Sequence, residues 1–133
     1  TRIADHGGAA LIVDYGDWRS LGDTLQGVRG HDRQSPLSAP GLTDLSAHVD
    51  FEALARAVPS GCAYSRLTTQ GVFLERLGIT ARAQALAKGM TDEALNAHVA
   101  AHRRLTHPDE MGTLFKVMAL YPEGAAPPPG LEP

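Results

Sequence analysis

The stretch AALIVDYGD, from Ala9 to Asp17, decides the fold class of this chain. Its first five residues are apolar, two glycines precede them, and turn-forming residues follow from Asp14 onward. A continuous apolar run that ends in turn residues is typical of a strand buried on both faces, as in a parallel α/β sheet. The sequence therefore predicts an α/β fold in which Ala9 to Val13 is an inner strand.

Helical and extended patterns alternate through the rest of the chain. Asp50 is expected to cap a helix that stops at Pro59, and Cys62 to Thr68 is expected to form a second strand. Helices are predicted between Gln70 and Leu105, and Thr113 to Tyr121, apolar at nearly every position, predicts another inner strand. The predicted helices should share an apolar seam, formed by Phe73, Leu77, Leu95 and Val99. The Pro- and Gly-rich residues 122–133 predict a disordered tail.

Composition narrows the class of protein further. A chain of 133 residues makes at most one compact domain, and 43% hydrophobic residues are enough to bury a core. The net charge of −3 provides no basic field for a nucleic-acid backbone. No apolar run approaches the ~20 residues of a membrane span, and the first residues do not resemble a signal peptide. We therefore expect a soluble cytoplasmic protein without a nucleic-acid partner.

Cysteine and histidine usage argues against a metal centre. The single cysteine, Cys62, excludes an internal disulfide framework and a cysteine-rich zinc site. His98 and His102 are four residues apart, a spacing that suits zinc on one helix face, but no carboxylate or thiol supplies a convincing further ligand. We expect no metal, and we interpret Cys62 as a buried, inert thiol.

The position of the first strand near the start of the chain has a consequence for the sheet. A strand this apolar needs neighbours on both sides, because an uncovered edge pairs readily with another chain. We therefore expect that further strands of the same sheet precede Thr1 in the parent protein.

Two groups of residues are candidates for a functional site. Ligands in open α/β sheets bind beyond the carboxyl ends of the strands, which points to Asp14 and Tyr15. The alternative is that Asp14 only supports the turn at Gly16. A second cluster lies around the long excursion from Gly30 to Thr43 and contains His31, Asp44, His48 and Asp50. Its alternative interpretation is a solvated loop followed by a helix cap, and composition does not decide between the two.

Five blocks in a fixed order carry a resemblance to a known family. They are AALIVDYGD, DTLQGVRGH, DLSAHVDFEALA, TTQGVFLERLGI and MGTLFKVMAL, and within them AHVDF and TQG-FL--LGI are the most specific. From about Gly8 to Tyr121 the chain resembles the carboxyl-terminal half of the MidA family. These proteins are S-adenosylmethionine-dependent methyltransferases of the Rossmann-like class I fold. Their mitochondrial members are complex I assembly factors that methylate an arginine of a partner subunit.

The resemblance implies a fold and a division into parts. Ala9 to Val13 would be the fifth strand of the methyltransferase sheet, Cys62 to Thr68 the sixth, and Thr113 to Tyr121 the antiparallel seventh. Residues 1–121 would be the carboxyl-terminal part of the methyltransferase domain, with a helical insertion over residues 70–105. The first four strands would lie upstream, and they would hold S-adenosylmethionine, so that no residue of this chain binds the cofactor.

The resemblance also implies a function for the parent protein. It would transfer methyl groups to an arginine of a protein partner from a respiratory complex, and the fragment alone would be inactive. The location would be the cytoplasm in a bacterium or the mitochondrial matrix in a eukaryote. A homodimer through the open sheet edge is a further expectation. The alternative is a non-catalytic interaction module that uses the helical insertion.

Methyl transfer to a guanidinium also indicates which side chains the site needs. The acceptor must be held in line with the methyl group, and carboxylates neutralise and orient its charge. Asp14, together with Asp44 or Asp50, is the candidate clamp. Tyr15 and His31 are expected to wall or orient the pocket.

Overall fold

The structure, a computed structural model, describes residues 2–133 as a central sheet flanked by helices, with a smaller sheet beside it. The strands are β1 (Ala10–Asp17), β2 (Gln26–Arg29), β3 (Asp32–Gln34), β4 (Asp44–Ser46), β5 (Val49–Asp50), β6 (Cys62–Tyr64), β7 (Thr68–Thr69) and β8 (Phe115–Pro122). The helices are α1 (Arg2–His6), α2 (Phe51–Arg56), α3 (Gln70–Arg76), α4 (Ile79–Ala87) and α5 (Asp92–Thr106). A π-type turn, Pro108–Gly112, leads from α5 towards β8.

The strand order of the central sheet is β5-β1-β8-β6, with the short β7 also paired to β8. β1 and β8 are antiparallel over six residue pairs, from Ala10 with Leu120 to Tyr15 with Phe115. β6 is antiparallel to β8 on the other side, so β1 and β6 run parallel to each other with β8 reversed between them. The last strand is antiparallel as the resemblance implies, and the predicted fold class is confirmed.

The core lies where α3 covers one face of β8. Side chains alternate between the two faces of a strand, so Val117, Ala119 and Tyr121 share one face. All three are buried, and they form one apolar cluster with Phe73 of α3 and with Leu131. We call this side of the sheet the α3 face.

The second predicted strand is shorter than expected because it is interrupted at Ser65. This residue is fully buried, its N–H donates to the carbonyl of Ala119 at 2.9 Å, and its hydroxyl oxygen accepts the N–H of Ala119 at 3.0 Å. Ser65 therefore bonds both the carbonyl and the N–H of Ala119, the first through its backbone and the second through its side chain. The regular ladder ends at Tyr64 and resumes at Thr68 as β7.

Residues 122–133, for which the sequence predicts a disordered tail, pack against α3 in the structure. Pro122 ends β8, and Leu131 is only 8% exposed in the cluster with Phe73. The N–H of Arg66 donates to the carbonyl of Glu132 at 2.9 Å, and the Arg76 guanidinium pairs with the Glu132 carboxylate at 2.6 Å. Proline restricts the unfolded chain, so residues 122–133 lose less conformational entropy when they become ordered. One apolar contact and two polar contacts are therefore enough to hold this Pro-rich segment.

The prediction of an apolar seam shared by the helices of the insertion is wrong in part. Phe73 is buried in the core, but Leu77 and Val99 are 50% and 56% exposed. α4 and α5 contain no buried residue. They are joined instead by polar contacts, in which His98 Nε2 lies 3.0 Å from the Ala83 carbonyl and His102 Nε2 lies 3.0 Å from the Thr80 hydroxyl.

Candidate functional site

The candidate site is built where β1 ends beside β5. The two strands are parallel, with Gly16 opposite Val49 and Asp17 opposite Asp50. A Cβ atom on Gly16 would lie 2.2 Å from the carbonyl oxygen of Val49, so only glycine allows this approach. The strand therefore continues through the DYGD sequence, where a turn was predicted, and Gly16 brings residues 48–50 against the carboxyl end of β1.

Tyr15 is the centre of an aromatic group at this edge. Its ring meets the rings of His48 and Phe115 edge-on, at centroid distances of 5.6 and 5.7 Å. Phe115 and Val117 are two residues apart on β8, so their side chains leave the strand on the same face. This group therefore lies on the α3 face of the sheet. Edge-on ring contacts of this kind fix the orientation of a half-buried tyrosine.

Asp50 holds backbone groups with both of its carboxylate oxygens. Oδ1 accepts the N–H of Ala53 at 2.9 Å and so caps α2 as the sequence predicts, while Oδ2 accepts the N–H of Ser20 at 3.3 Å. The hydrogen bond from Ala53 is the main cause that lowers the pKa of the Asp50 carboxyl. The ionised group thus ties the loop after β1 to the start of α2.

Arg19 and Glu52 strengthen the same connection, and sequence reasoning missed both. Two nitrogens of the Arg19 guanidinium donate to the two oxygens of Glu52, each at 2.9 Å. This hydrogen bond is the main cause that lowers the pKa of Glu52 and raises that of Arg19. The two residues are 33 positions apart, so no local pattern could have paired them.

Asp14 approaches the site from the other side of the sheet. It neighbours Tyr15 on β1, so its side chain leaves the strand on the opposite face. Its Oδ1 accepts the N–H of Tyr15 at 2.8 Å. Within residues 2–133, Oδ2 has no hydrogen-bond partner, and the residue is half-buried. Asp14 therefore retains one acceptor oxygen at the carboxyl edge.

His31 and Asp44 belong to the smaller sheet, whose order is β3-β2-β4. His31 lies in the β2–β3 turn with a φ of 70°, and Asp44 pairs with Val28 near that turn. The opposite end of this sheet, where Ser46 pairs with Gln26, leads to His48. The structure thus brings Tyr15, His48 and Asp50 together, whereas His31 and Asp44 stand at the far end of the small sheet.

Two strand-to-helix junctions lie in the described chain. At α2, the N–H groups of Glu52 and Ala53 already donate to Trp18 and Asp50. At α3, Thr69 makes no side-chain capping hydrogen bond, and the buried Gln70 donates its side-chain amide to the carbonyl of Leu105 at 2.8 Å. Neither junction carries the G-x-G-x-x-G pattern with which Rossmann-like folds hold a nucleotide cofactor. From Arg2 to Pro133, no three His, Cys, Asp or Glu side chains converge as metal ligands.

The antiparallel β8 between β1 and β6, with polar residues at the carboxyl end of β1, defines one edge of a class I methyltransferase sheet. Residues 1–69, just over half of the chain, match a family described as "Putative S-adenosyl-L-methionine-dependent methyltransferase". The chain belongs to this family.

No helix in the described part of the chain is long and apolar enough to cross a membrane.

Curated relatives extend the match along the chain. It is 39% identical over 122 residues to "Protein arginine methyltransferase NDUFAF7, mitochondrial" of Mus musculus, and 36% identical over 122 residues to the Xenopus laevis protein of the same name. Each alignment covers 91% of this chain but 28% of the relative. The chain therefore spans little more than a quarter of the length of these relatives.

Two solved structures share the fold of this chain. A crystal structure of an uncharacterized protein from Burkholderia thailandensis superposes with a TM-score of 0.81 at 30% identity, covering 94% of this chain and 35% of that one. A second crystal structure from the same organism, of a "COG1565 superfamily member and likely methyl transferase" bound to S-adenosyl-homocysteine, gives a TM-score of 0.73 at 32% identity over 86% of this chain and 32% of that one.

Proposed function

We propose that this chain forms the acceptor side of an S-adenosylmethionine-dependent protein arginine methyltransferase. The observation that carries the proposal is the reversed β8 between β1 and β6, with Tyr15, His48 and Asp14 at the carboxyl end of β1. Family membership and the similarity to proteins named arginine methyltransferases support the same reaction.

Each candidate side chain has a distinct role in this proposal. Asp14 presents its free oxygen to the positively charged acceptor, because a carboxylate orients and neutralises a guanidinium better than a neutral group does. Tyr15 and His48 form an aromatic wall that limits access by water. Asp50, whose two oxygens are occupied, positions the loop after β1. His31 and Asp44 then act only if the small sheet folds towards the acceptor.

The cofactor is held by parts of the fold outside residues 1–133. S-adenosylmethionine supplies the methyl group, and the residues described above bind and orient the acceptor. On this proposal the 133 residues alone are inactive. A respiratory-complex subunit in the mitochondrial matrix is the acceptor if the protein is eukaryotic, and a cytoplasmic protein is the acceptor if it is bacterial.

The Asp14→Asn variant of the intact protein tests this function. Asparagine keeps the oxygen that accepts the Tyr15 N–H but removes the charge. We expect methyl transfer to an arginine-containing protein to fall at least tenfold, a loss of about 1.4 kcal/mol of transition-state stabilisation, with cofactor affinity unchanged. Asp23→Asn, in an exposed loop, is the matched control. Equal turnover of Asp14→Asn and wild type, measured on folded protein, would contradict the role of Asp14.

A second candidate function follows from the helical insertion. α4 and α5 have no buried residue, and Leu86 and Val99 are 48% and 56% exposed. We infer that a non-catalytic interaction module is the alternative to methyl transfer. Loss of a protein partner in a Leu86→Ser variant, with no methyl transfer by the intact wild-type protein, would favour this alternative.

We also propose self-association through β1. Its edge away from β8 is paired to β5 only at Gly16 and Asp17, and Leu11 and Val13 on the same strand are 50% and 43% exposed. An open apolar edge pairs readily with a second strand. Light scattering of residues 1–133 should show a dimer, and a Val13→Lys variant should be monomeric.

A further inference from the structure

A second cleft lies beside the candidate site, along the exposed side of α3. It has a volume of about 570 Å³, larger than the two clefts of about 230 and 240 Å³ between α4 and α5. This volume is within the usual range of ligand pockets, about 300–1,000 Å³. The walls are formed by Thr69, Val72, Glu75, Thr106 and Thr113, among others.

The cleft begins at the same edge of the sheet as Tyr15. Thr113 precedes Phe115 by two residues, and the Phe115 ring contacts Tyr15 at 5.7 Å. Thr69, at the end of β7, is opposite Lys116 on β8. Tyr15 and Thr69 lie on the strands to either side of β8, opposite its neighbouring residues Phe115 and Lys116. The mouth of the cleft is therefore roughly 10 Å from Tyr15, since adjacent strands lie about 4.8 Å apart. An extended peptide covers that distance in about three residues.

Two charged side chains, Glu75 and Arg76, line the cleft, and the Lys116 ammonium donates to the carbonyl of Thr113 on its wall at 2.8 Å. Arg76 is satisfied by the Glu132 carboxylate at 2.6 Å and by the Gly130 carbonyl at 3.4 Å. Glu75 accepts the Thr80 hydroxyl at 2.6 Å and lies 3.9 Å from His102 Nε2. Its side chain is 48% exposed, and no lysine or arginine between Arg2 and Pro133 pairs with it. A cation entering the cleft would therefore find a carboxylate without a permanent counter-charge.

We propose that this cleft is a second subsite, which binds a basic side chain of the acceptor polypeptide about three residues from the methylated arginine. The inference rests on the proposed function, because it takes the acceptor arginine to lie at the carboxyl end of β1, where Asp14 and Tyr15 are adjacent. Glu75 pairs with the cation, and Val72 contacts the aliphatic part of the same side chain. The subsite selects among arginines by their sequence context.

The experiment measures peptide binding and methyl transfer separately, on the intact protein. The probes are fluorescein-labelled nonapeptides with a central arginine in a glycine background, carrying Lys, Gln or Glu three residues before or after it. Binding is followed by fluorescence anisotropy in low salt. We expect about a fivefold preference for Lys over Glu on one side of the arginine, the range of a partly exposed ion pair.

Three variants separate the subsite from an effect on folding. Glu75→Gln should reduce the preference for Lys to about one. Thr80→Val removes the hydrogen bond to Glu75 but keeps the carboxylate, so it should retain the preference. Glu123→Gln makes the same chemical change as Glu75→Gln at the opposite end of β8, and it should behave as wild type.

The outcomes distinguish the subsite from the reaction. Selective binding that is lost in Glu75→Gln, without methylation of any probe, would support the subsite and count against methyl transfer. Methylation with equal Lys preference in wild type and Glu75→Gln would overturn the subsite and leave the proposed function standing. Binding of no probe, or a preference for Glu, would also overturn the subsite.

Discussion

At the scale of single residues, the candidate site depends on carboxylates that serve different partners. Asp50 and Glu52 use their oxygens to hold the loop after β1, through Ser20 and Arg19. Asp14 keeps one oxygen without a partner in the described chain. Asp50 and Glu52 therefore hold the backbone at the carboxyl end of β1 in place, while Asp14 has an oxygen that can accept a hydrogen bond from a cation.

The same carboxylates make stability depend on pH. Hydrogen bonds lower the pKa of Asp50 and of Glu52 below their usual values near 4. Their contribution is therefore fully present above the pKa values of the unfolded chain and is lost as the pH falls through the lower, folded values. We expect the urea concentration at the unfolding midpoint of wild type to decrease as the pH is lowered below about 4.5. The midpoint of Glu52→Gln should decrease less. Parallel curves for the two proteins would contradict the ion pair.

At the scale of elements, two glycines allow α3, the end of α5 and the turn before β8 to meet. A Cβ atom on Gly71 would lie 2.6 Å from the Thr106 carbonyl oxygen, and one on Gly112 would lie 2.0 Å from the same atom. Both contacts are with backbone, which cannot rotate away. The TTQG and MGTLF blocks thus carry glycines for close packing, and this packing forms the inner wall of the cleft beside α3.

Replacing Gly112 tests this junction. Gly112→Ala should lower the free energy of unfolding by about 1–3 kcal/mol, the usual range for overpacking. Gly89→Ala is the matched control, because a Cβ atom there meets nothing within 4 Å. It should leave stability unchanged or raise it by up to about 1 kcal/mol. Equal urea midpoints for the two variants would show that the backbones do not meet as described.

The C-terminal segment is tested through its apolar anchor. Leu131 is 8% exposed, and Leu131→Ala should cost about 2–5 kcal/mol of unfolding free energy. Leu37→Ala removes the same atoms from a leucine that is 85% exposed, and it should change stability by less than about 0.5 kcal/mol. A loss as small for Leu131→Ala as for Leu37→Ala would mean that the tail does not pack on α3.

At the scale of the whole molecule, apolar runs and capping residues predicted where the two long strands and the start of α2 lie. The runs Ala9 to Val13 and Thr113 to Tyr121 fall largely within β1 and β8, which pair with each other, and Asp50 caps α2. Burial of β1 on both faces was not found, since Leu11 and Val13 are half-exposed. Contacts between segments far apart in sequence left no comparable signal. The Arg19–Glu52 pair and the anchoring of Leu131 both join distant segments. The separation of His31 and Asp44 from Tyr15 likewise depends on the small sheet, whose pairing no local pattern predicted.

The central claim is that these residues serve the acceptor, while the cofactor is held elsewhere in the fold. Calorimetric titration of S-adenosylmethionine into residues 1–133, with folding checked by far-UV circular dichroism, tests it most directly. A ligand stabilises only a state that binds it, so we expect neither saturable heat nor a change in Tm, whereas the intact protein should show both. Saturable micromolar binding by the 133 residues alone would contradict the account.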